Sequence, residues 1–587
     1  MDKRVIFTIG ISLAAMWAWL WISAKVWPPA PPPKPAAVAS GPSGPASGPA
    51  SQRSIFGPSA SAPAPASAAA PASQAAGARA PEELVEIPLD PKTPAKFRAT
   101  LTSWGGALKH FILTDPQYKE ERNGRALPLD LVRSQSSQDL PLRTSFRGAT
   151  VRVPDDAVYT VAKKTDREVI FVWDGPTAHV EKRYQYDPQS YLVNLTVAVT
   201  NRTGQRDPEL RSGVALYGYQ HPEDKAGGWF KPPRNVVSGA CYANGSLERE
   251  GHDELVKKPV HKNGDVRWTG IDEKYFLLAV VPTPEKDRER ACRVEGRPGD
   301  QLESVLLWAP RALADGATET YPLVVFAGPK SIKLLDAVTV AGQDPHLGEA
   351  VNFGWFAFIA KPLLWILKFF QSGVRNWGLA IILLTIFVKL ITLYWTQKSM
   401  RSMKEMAKLK PKITALQEKY KEDKARLNQE MMALYKAHGV NPLSGCLPML
   451  LQMPIWFALY STLQVSVELY RTPFIGWIHD LTAPDKYFVM PVVTGLLMFV
   501  QQKISPTPQD NQQAKMMMYM MPVMFTAFTL FVPSGLTLYI LTNTLLSMGH
   551  QVWMNRQDGG SALVAVPAEP APKPAPKPAP KGGKRKG

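Results

Sequence analysis

The chain runs to 587 residues with a formal net charge of +18, 54 prolines and three cysteines. That length exceeds one ordinary domain. Cys241, Cys292 and Cys446 form no CxxC or Cys/His ligand pattern, which excludes a zinc site and a dense disulfide framework. Apolar residues gather at the N-terminus and after about residue 350, in runs of about 20 that match a hydrocarbon core about 30 Å thick.

Lys3 and Arg4 precede residues 5–24, which carry no charge. Basic flanks stay in the cytoplasm, so residues 1–27 are expected to anchor the chain with its N-terminus inside. A cleaved signal peptide is the competing reading. The run exceeds the usual 7–15 residue apolar region and carries Trp17, Trp19 and Trp21 in place of a clear A-x-A site. Residues 28–81, nearly all Pro, Ala, Ser and Gly, cannot bury a core and read as an extended tether.

Between 82 and 335 the pattern becomes alternation. Val193, Leu195, Val197 and Val199 face one way, and Asn194, Thr196 and Thr200 the other, as in a half-buried antiparallel strand. Similar stretches near 96–101, 169–172 and 304–307, separated by Gly, Pro and Asp, predict an antiparallel β-sandwich outside the cytoplasm. Cys241 and Cys292 both fall in it, and their spacing leaves open whether they pair. Residues 336–375 turn helical. Trp355, Phe356, Trp365 and Phe369, interrupted by Lys361, Pro362 and Lys368, predict a helix lying on the membrane surface, with a true span as the competing reading.

Five further spans are expected at 376–396, 443–467, 487–503, 516–532 and 535–555, the last two separated by Pro533, Ser534 and Gly535. Six crossings beginning inside put 397–442, 504–515 and the tail 556–587 in the cytoplasm, and 468–486 outside. The loop 397–442 holds eleven Lys/Arg against five Asp/Glu, whereas 468–486 holds two against three. With Lys503, the cytoplasmic segments hold 22 basic and 9 acidic residues, so +13 of the +18 is a topology signal. Such loops also attract anionic lipid. Nothing points to sequence-specific nucleic-acid binding.

No phosphate loop, HExxH or GxSxG elbow occurs, and the nine histidines lack ligand spacing. An enzyme, a metal and a cofactor are therefore not expected. The loop 397–442 reads as a helical hairpin. Met403, Met406, Ile413, Leu416 and Tyr420, then Leu427, Met431 and Leu434, supply the stripes that zip it. Its basic face, with Lys404, Lys408 and Lys419, is left for a polyanionic partner, as are Lys573, Lys577, Lys584, Arg585 and Lys586 of the tail.

Lys389 lies near the middle of the span 376–396. A charge there costs about 3 kcal/mol on insertion scales. No Asp or Glu lies in any span, so a polar pocket must hydrate it. Thr385, Gln452, Gln501 or Gln502, and Thr542 or Asn543 are the candidates to line that pocket.

The segments NPLSGCLPMLLQMPIWFALY at 441–460, FIGWIHDL at 474–481, MFVQQKISP at 498–506 and FVPSGLTLY at 531–539 resemble YidC-type membrane protein insertases. YQYD at 184–187, IDEKYF at 271–276 and FAGPK at 326–330 extend the likeness from about residue 82 to 555. The resemblance implies a bacterial inner-membrane protein with a periplasmic β-sandwich and a membrane α-helical bundle of six transmembrane helices, five of them an insertase core around a hydrophilic groove. It further implies a positive groove residue at Lys389, where members mostly carry arginine, and an apolar slide at Met449, Met453, Phe457, Met520, Met524 and Phe528. The implied partners are nascent membrane proteins, the Sec translocon, and the ribosome with the signal recognition particle or its receptor. A secondary transporter or channel is the alternative reading of a buried cation, although no internal repeat supports it.

Overall fold

Two periodicities divide the chain, and the first of them builds sheets. The computed structural model describes residues 81–557 apart from 123–124, 135, 226–234, 286–287, 441–446 and 505–511. The expected anchor, almost all of the tether, and the tail beyond Gln557 lie outside the described residues.

Val193, Leu195, Val197 and Val199 turn inward on the strand Leu192–Asn201, which pairs antiparallel with Ala178–Tyr186 and Thr318–Pro329. That strand lies within a nine-stranded sheet ordered Ser246–Gly251, Ser238–Ala243, Val266–Asp272, Phe276–Pro282, Thr318–Pro329, Leu192–Asn201, Ala178–Tyr186, Glu168–Asp174, Thr160–Thr165. A five-stranded sheet, Val260–Gly264, Arg290–Arg297, Gln301–Leu313, Asp207–Tyr219, Arg143–Arg147, packs on it. Between them lie Ile271, Leu306 and Val214. The hydroxyls of Thr269 and Ser304 meet there at 2.6 Å, so neither is buried without a partner. Cys241 and Cys292, one on each sheet, form a disulfide across the sandwich. A three-stranded meander, Leu84–Ile87, Phe97–Thr102 and Ala107–Leu113, completes the apolar core.

The second periodicity gives eight helices after residue 350 among the described residues: α1 (Ala357–Val374), α2 (Trp377–Lys408), α3 (Lys410–Lys419), α4 (Lys424–Ala437), α5 (Leu447–Val465), α6 (Val489–Ile504), α7 (Gln512–Thr529) and α8 (Ser534–Gln557). Gly354–Val374 and Trp377–Lys408 are long and apolar enough to cross a membrane, and Val489–Ile504 is a shorter apolar helix. α1 is two-faced. Ala360, Leu363, Leu364 and Leu367 pack inward toward α2 and α5, while Trp365 is 70% and Phe369 63% exposed.

α2 departs from expectation at its far end. The charges after residue 397 end the apolar stretch but not the helix, which continues to Lys408 and breaks where Pro411 opens α3. Charge sets where a helix leaves lipid, whereas a proline within the first turn favours a new helix start. α7 ends at Thr529 and α8 begins at Ser534, so the turn lies at 530–533, and Ser534 and Gly535 open α8 instead of sitting in the break. There the backbone N–H groups of Ser534 and Gly535 donate to the carbonyls of Ala483 (2.7 Å) and Leu481 (2.9 Å), which satisfies orphan donors at the start of α8.

The β domain is docked on the helices as well as joined to them. Tyr470, in the segment between α5 and α6, packs its ring against Tyr118, Tyr275 and Phe276 and donates its hydroxyl to Lys119 O at 2.8 Å. Gln117 Nε2 donates back to the carbonyl of Tyr470 at 2.8 Å. Glu468 accepts from Ser331 Oγ at 3.0 Å and from Lys368 Nζ of α1 at 2.6 Å, so one carboxylate ties sheet domain, loop and surface helix together.

Candidate functional site

Asn376 caps α2 by accepting the N–H of Leu379 at 3.0 Å, and Lys389 follows twelve residues into the helix, about 18 Å along its axis. Its Nζ donates to Ser547 Oγ at 2.6 Å and to Asn543 Oδ1 at 3.4 Å, both on α8. The Ser547 hydroxyl in turn donates to the carbonyl of Asn543 at 2.6 Å. Asn543 and Ser547 stand four residues apart, on one helix face. Among the described residues no carboxylate lies within ion-pair distance of Lys389. A cation held only by neutral oxygens keeps its charge uncompensated and its field open to an approaching anion.

Of the residues predicted to line this pocket, Asn543 alone reaches the ammonium. Thr385 and Thr542 do not: their hydroxyls bond back to Ile381 O (2.7 Å) and Leu538 O (2.8 Å) within their own helices. Threonine on a helix readily satisfies itself this way, and Thr542 is rotated about 100° from Asn543. Gln452 on α5 instead hydrogen-bonds the hydroxyl of Tyr539 on α8, closing another polar contact between helices. The carbonyl oxygen of Gln502 on α6 is buried with no partner. Ser547 and Tyr539 were missed by sequence reading. A signal for Ser547 existed, since it sits one turn from Asn543, but it required knowing which face of α8 points inward.

The six slide residues divide. Met453, Met520 and Met524 are exposed, Met524 to 49%. Phe457 and Phe528 instead join an aromatic cluster: Phe457 stacks on Phe356 with centroids 5.5 Å apart, and Phe528 meets Trp456 at 5.5 Å. The side chain of Met449 lies outside the described residues. Met406, Leu409, Ile413 and Tyr435 form a small core that closes α3 and α4 onto the end of α2. Lys404 turns toward α8 and donates to Met554 O at 3.1 Å, while Lys408 pairs with Glu405 at 2.8 Å. Lys419 stays exposed over the ring of Tyr420. Lys573, Lys577, Lys584, Arg585 and Lys586 lie outside the described residues.

The family model of the YidC periplasmic domain matches residues 92–366, and that of the 60Kd inner membrane protein matches residues 369–560. A membrane protein insertase YidC of Anaeromyxobacter sp. (strain Fw109-5) is 40% identical over 515 residues, 84% of this chain and 87% of the relative. Another, from Anaeromyxobacter dehalogenans (strain 2CP-C), is 38% identical over 567 residues, 94% of this chain and 97% of the relative. This chain belongs to the YidC family. Like other YidC proteins it is an inner-membrane protein with a periplasmic β domain and a helical insertase core, and the family is one of insertases rather than enzymes. The two matches meet inside α1, so the YidC division between domain and core falls in the surface-exposed aromatic helix. Among solved structures, that of an active YidC insertase with its first transmembrane domain resolved covers 78% of this chain and 90% of its own, at 18% identity and a TM-score of 0.36.

Proposed function

We propose that this chain inserts newly synthesised inner-membrane proteins and assists their folding, alone or with the Sec translocon, and that the pocket of Lys389, Asn543 and Ser547 receives the polar end of the incoming segment. The observation that carries this reading is the ammonium of Lys389 held by a hydroxyl and an amide with no described carboxylate beside it. Such a group attracts a translocating acidic residue without binding it so tightly as an ion pair buried in lipid would. The exposed methionines of α5 and α7 offer adaptable apolar surface for the hydrophobic part of the client. Transfer into lipid and the membrane potential supply the driving force.

In this proposal the core spans the membrane as α2, α5, α6, α7 and α8, the anchor at 1–27 adds a sixth crossing, and both termini are cytoplasmic. α1 lies in the periplasmic headgroup layer. The hairpin α3–α4 and the basic tail meet the ribosome, the signal recognition particle or its receptor, and anionic lipid. The transporter or channel alternative has no observation that favours it.

Substituting Lys389 tests the electrostatic role. Lys389→Arg should retain insertion, because charge persists. Lys389→Ala should impair clients with acidic translocated ends, and Lys389→Glu should impair them further, by like-charge repulsion. Neutral-ended clients should be affected less. Protease protection of paired clients in depleted cells, at matched variant abundance, reads the difference. Equal insertion of the acidic client by Lys389→Glu and the parent would remove the charge from the mechanism.

A further inference from the structure

Among the described residues, His550 on α8 and Gln502 on α6 carry buried polar atoms with no hydrogen-bond partner. His550 follows Ser547 by three residues on α8, about 4.5 Å further along the axis and on nearly the same face. Both of its ring nitrogens are shielded from solvent and make no hydrogen bond. The ring is stacked on Trp553, with centroids 6.0 Å apart and planes 25° from parallel, and it lies within electrostatic reach of Lys389. α6 packs against α8, and the Oε1 of Gln502 on α6 is likewise buried and unpartnered.

Leaving such a group unbonded costs about 1–3 kcal/mol. By contrast Thr385, Thr542, Thr544, Ser547 and Gln452 all make hydrogen bonds. The unmet atoms also have a definite sense. A neutral imidazole offers one donor and one acceptor, and a glutamine Oε1 only accepts. This set is not complementary to a carboxylate, which brings acceptors alone. It is complementary to peptide units, each with one N–H and one C=O. An extended chain entering hydrocarbon carries those groups unpaired, at several kcal/mol each.

We infer that His550 and Gln502 bind the main chain of the incoming polypeptide, His550 one helical turn beyond the Ser547 that holds Lys389, so that backbone recognition independent of sequence accompanies charge recognition by the lysine. The inference rests on the proposal that the Lys389 pocket is the client site. Lys389 then selects among clients, and His550 and Gln502 serve all of them.

The two roles separate in one experiment on the full-length protein: protease-protected insertion of an acidic-ended and a neutral-ended client by the parent and by His550→Leu, His550→Gln, Gln502→Leu and Lys389→Ala. His550→Leu and Gln502→Leu should each lower insertion of both clients alike, by roughly threefold to tenfold for the loss of about one hydrogen bond. His550→Gln keeps a donor and an acceptor, and should recover most of the parental level for both. Three results overturn the inference: parental insertion of both clients by His550→Leu and Gln502→Leu, loss confined to the acidic client, or no recovery in His550→Gln at normal abundance. Selective loss of the acidic client in Lys389→Ala beside unchanged leucine variants would remove the backbone site and leave the proposed function standing. Unchanged insertion by every variant would remove both.

Discussion

At the scale of single residues, burial decides what a charge does. Lys330 is buried beside Asp272 at 2.7 Å and donates to Ala350 O at 3.1 Å, which clamps the segment leading to α1 onto the sheet. Desolvation pushes its ammonium down, and Asp272 opposes that shift. Among the described residues Lys274 has no carboxylate that close. Half-buried at the docked face, it is pushed by desolvation to about 8, against the ordinary 10.5, with only partial relief from Asp480. Between those values the unfolded chain binds the proton that the folded chain has released, so this site's contribution to stability rises with pH across that window. Below about pH 8 the folded protein carries the desolvated charge in full. Lys274→Met should therefore melt higher than the parent at pH 7, and the difference should shrink as pH is raised from 8 to 10.5. Paired thermal melts across that range check it, and a difference independent of pH would place the effect of the substitution in packing instead.

Elements carry the connection between domain and core. The segment 466–482 between α5 and α6 is a hydrogen-bonded socket more than a free loop, because Tyr470 fills a cleft among Tyr118, Tyr275 and Phe276 while Glu468 ties Ser331 to Lys368. Removing a fully buried aromatic costs about 3–5 kcal/mol, and the partly buried Tyr470 should cost less than that. Tyr470→Ala should accordingly undock the domain without unfolding it. Amide exchange and limited proteolysis should accelerate in 466–482 and at Gln117 and Lys119, while the strands of the nine-stranded sheet keep their protection. Unchanged exchange at the socket would mean that Glu468 and the bond from Gln117 to the Tyr470 carbonyl hold the domain without the ring.

For the molecule as a whole, the question is what the β domain contributes to insertion. None of the hydrogen bonds around Lys389, Asn543, Ser547 and Gln452 comes from it. Deleting residues 90–320 should leave insertion of small clients largely intact, but it would also bare the ring of Tyr470, which the whole protein covers. Pairing the deletion with Tyr470→Ser should restore abundance lost through that exposed ring. Protease protection of a small client, normalised to insertase level, decides. Abolished insertion by an abundant, correctly oriented deletion would make the domain part of the machinery.

What the sequence determined by itself was whatever depends on neighbours along the chain. Alternation at 193–199 places a strand because side chains of a strand point alternately, whatever it pairs with. Uncharged runs place α2, α5 and α6 because hydrophobic length is a local sum, and Pro533 marks the turn before α8 because proline lacks a donor. Lys389 stood out for the same reason: its cost follows from its surroundings on one helix. The tertiary structure alone decided the partners. Ser547 and Asn543 lie more than 150 residues from Lys389, Tyr539 lies 87 from Gln452, and Tyr470 more than 350 from Lys119. Cys241 and Cys292 meet only because two sheets stack. Which groups meet depends on how each helix is rotated about its axis and which strands become neighbours. Both are fixed by packing of the whole core, and no window of sequence contains them.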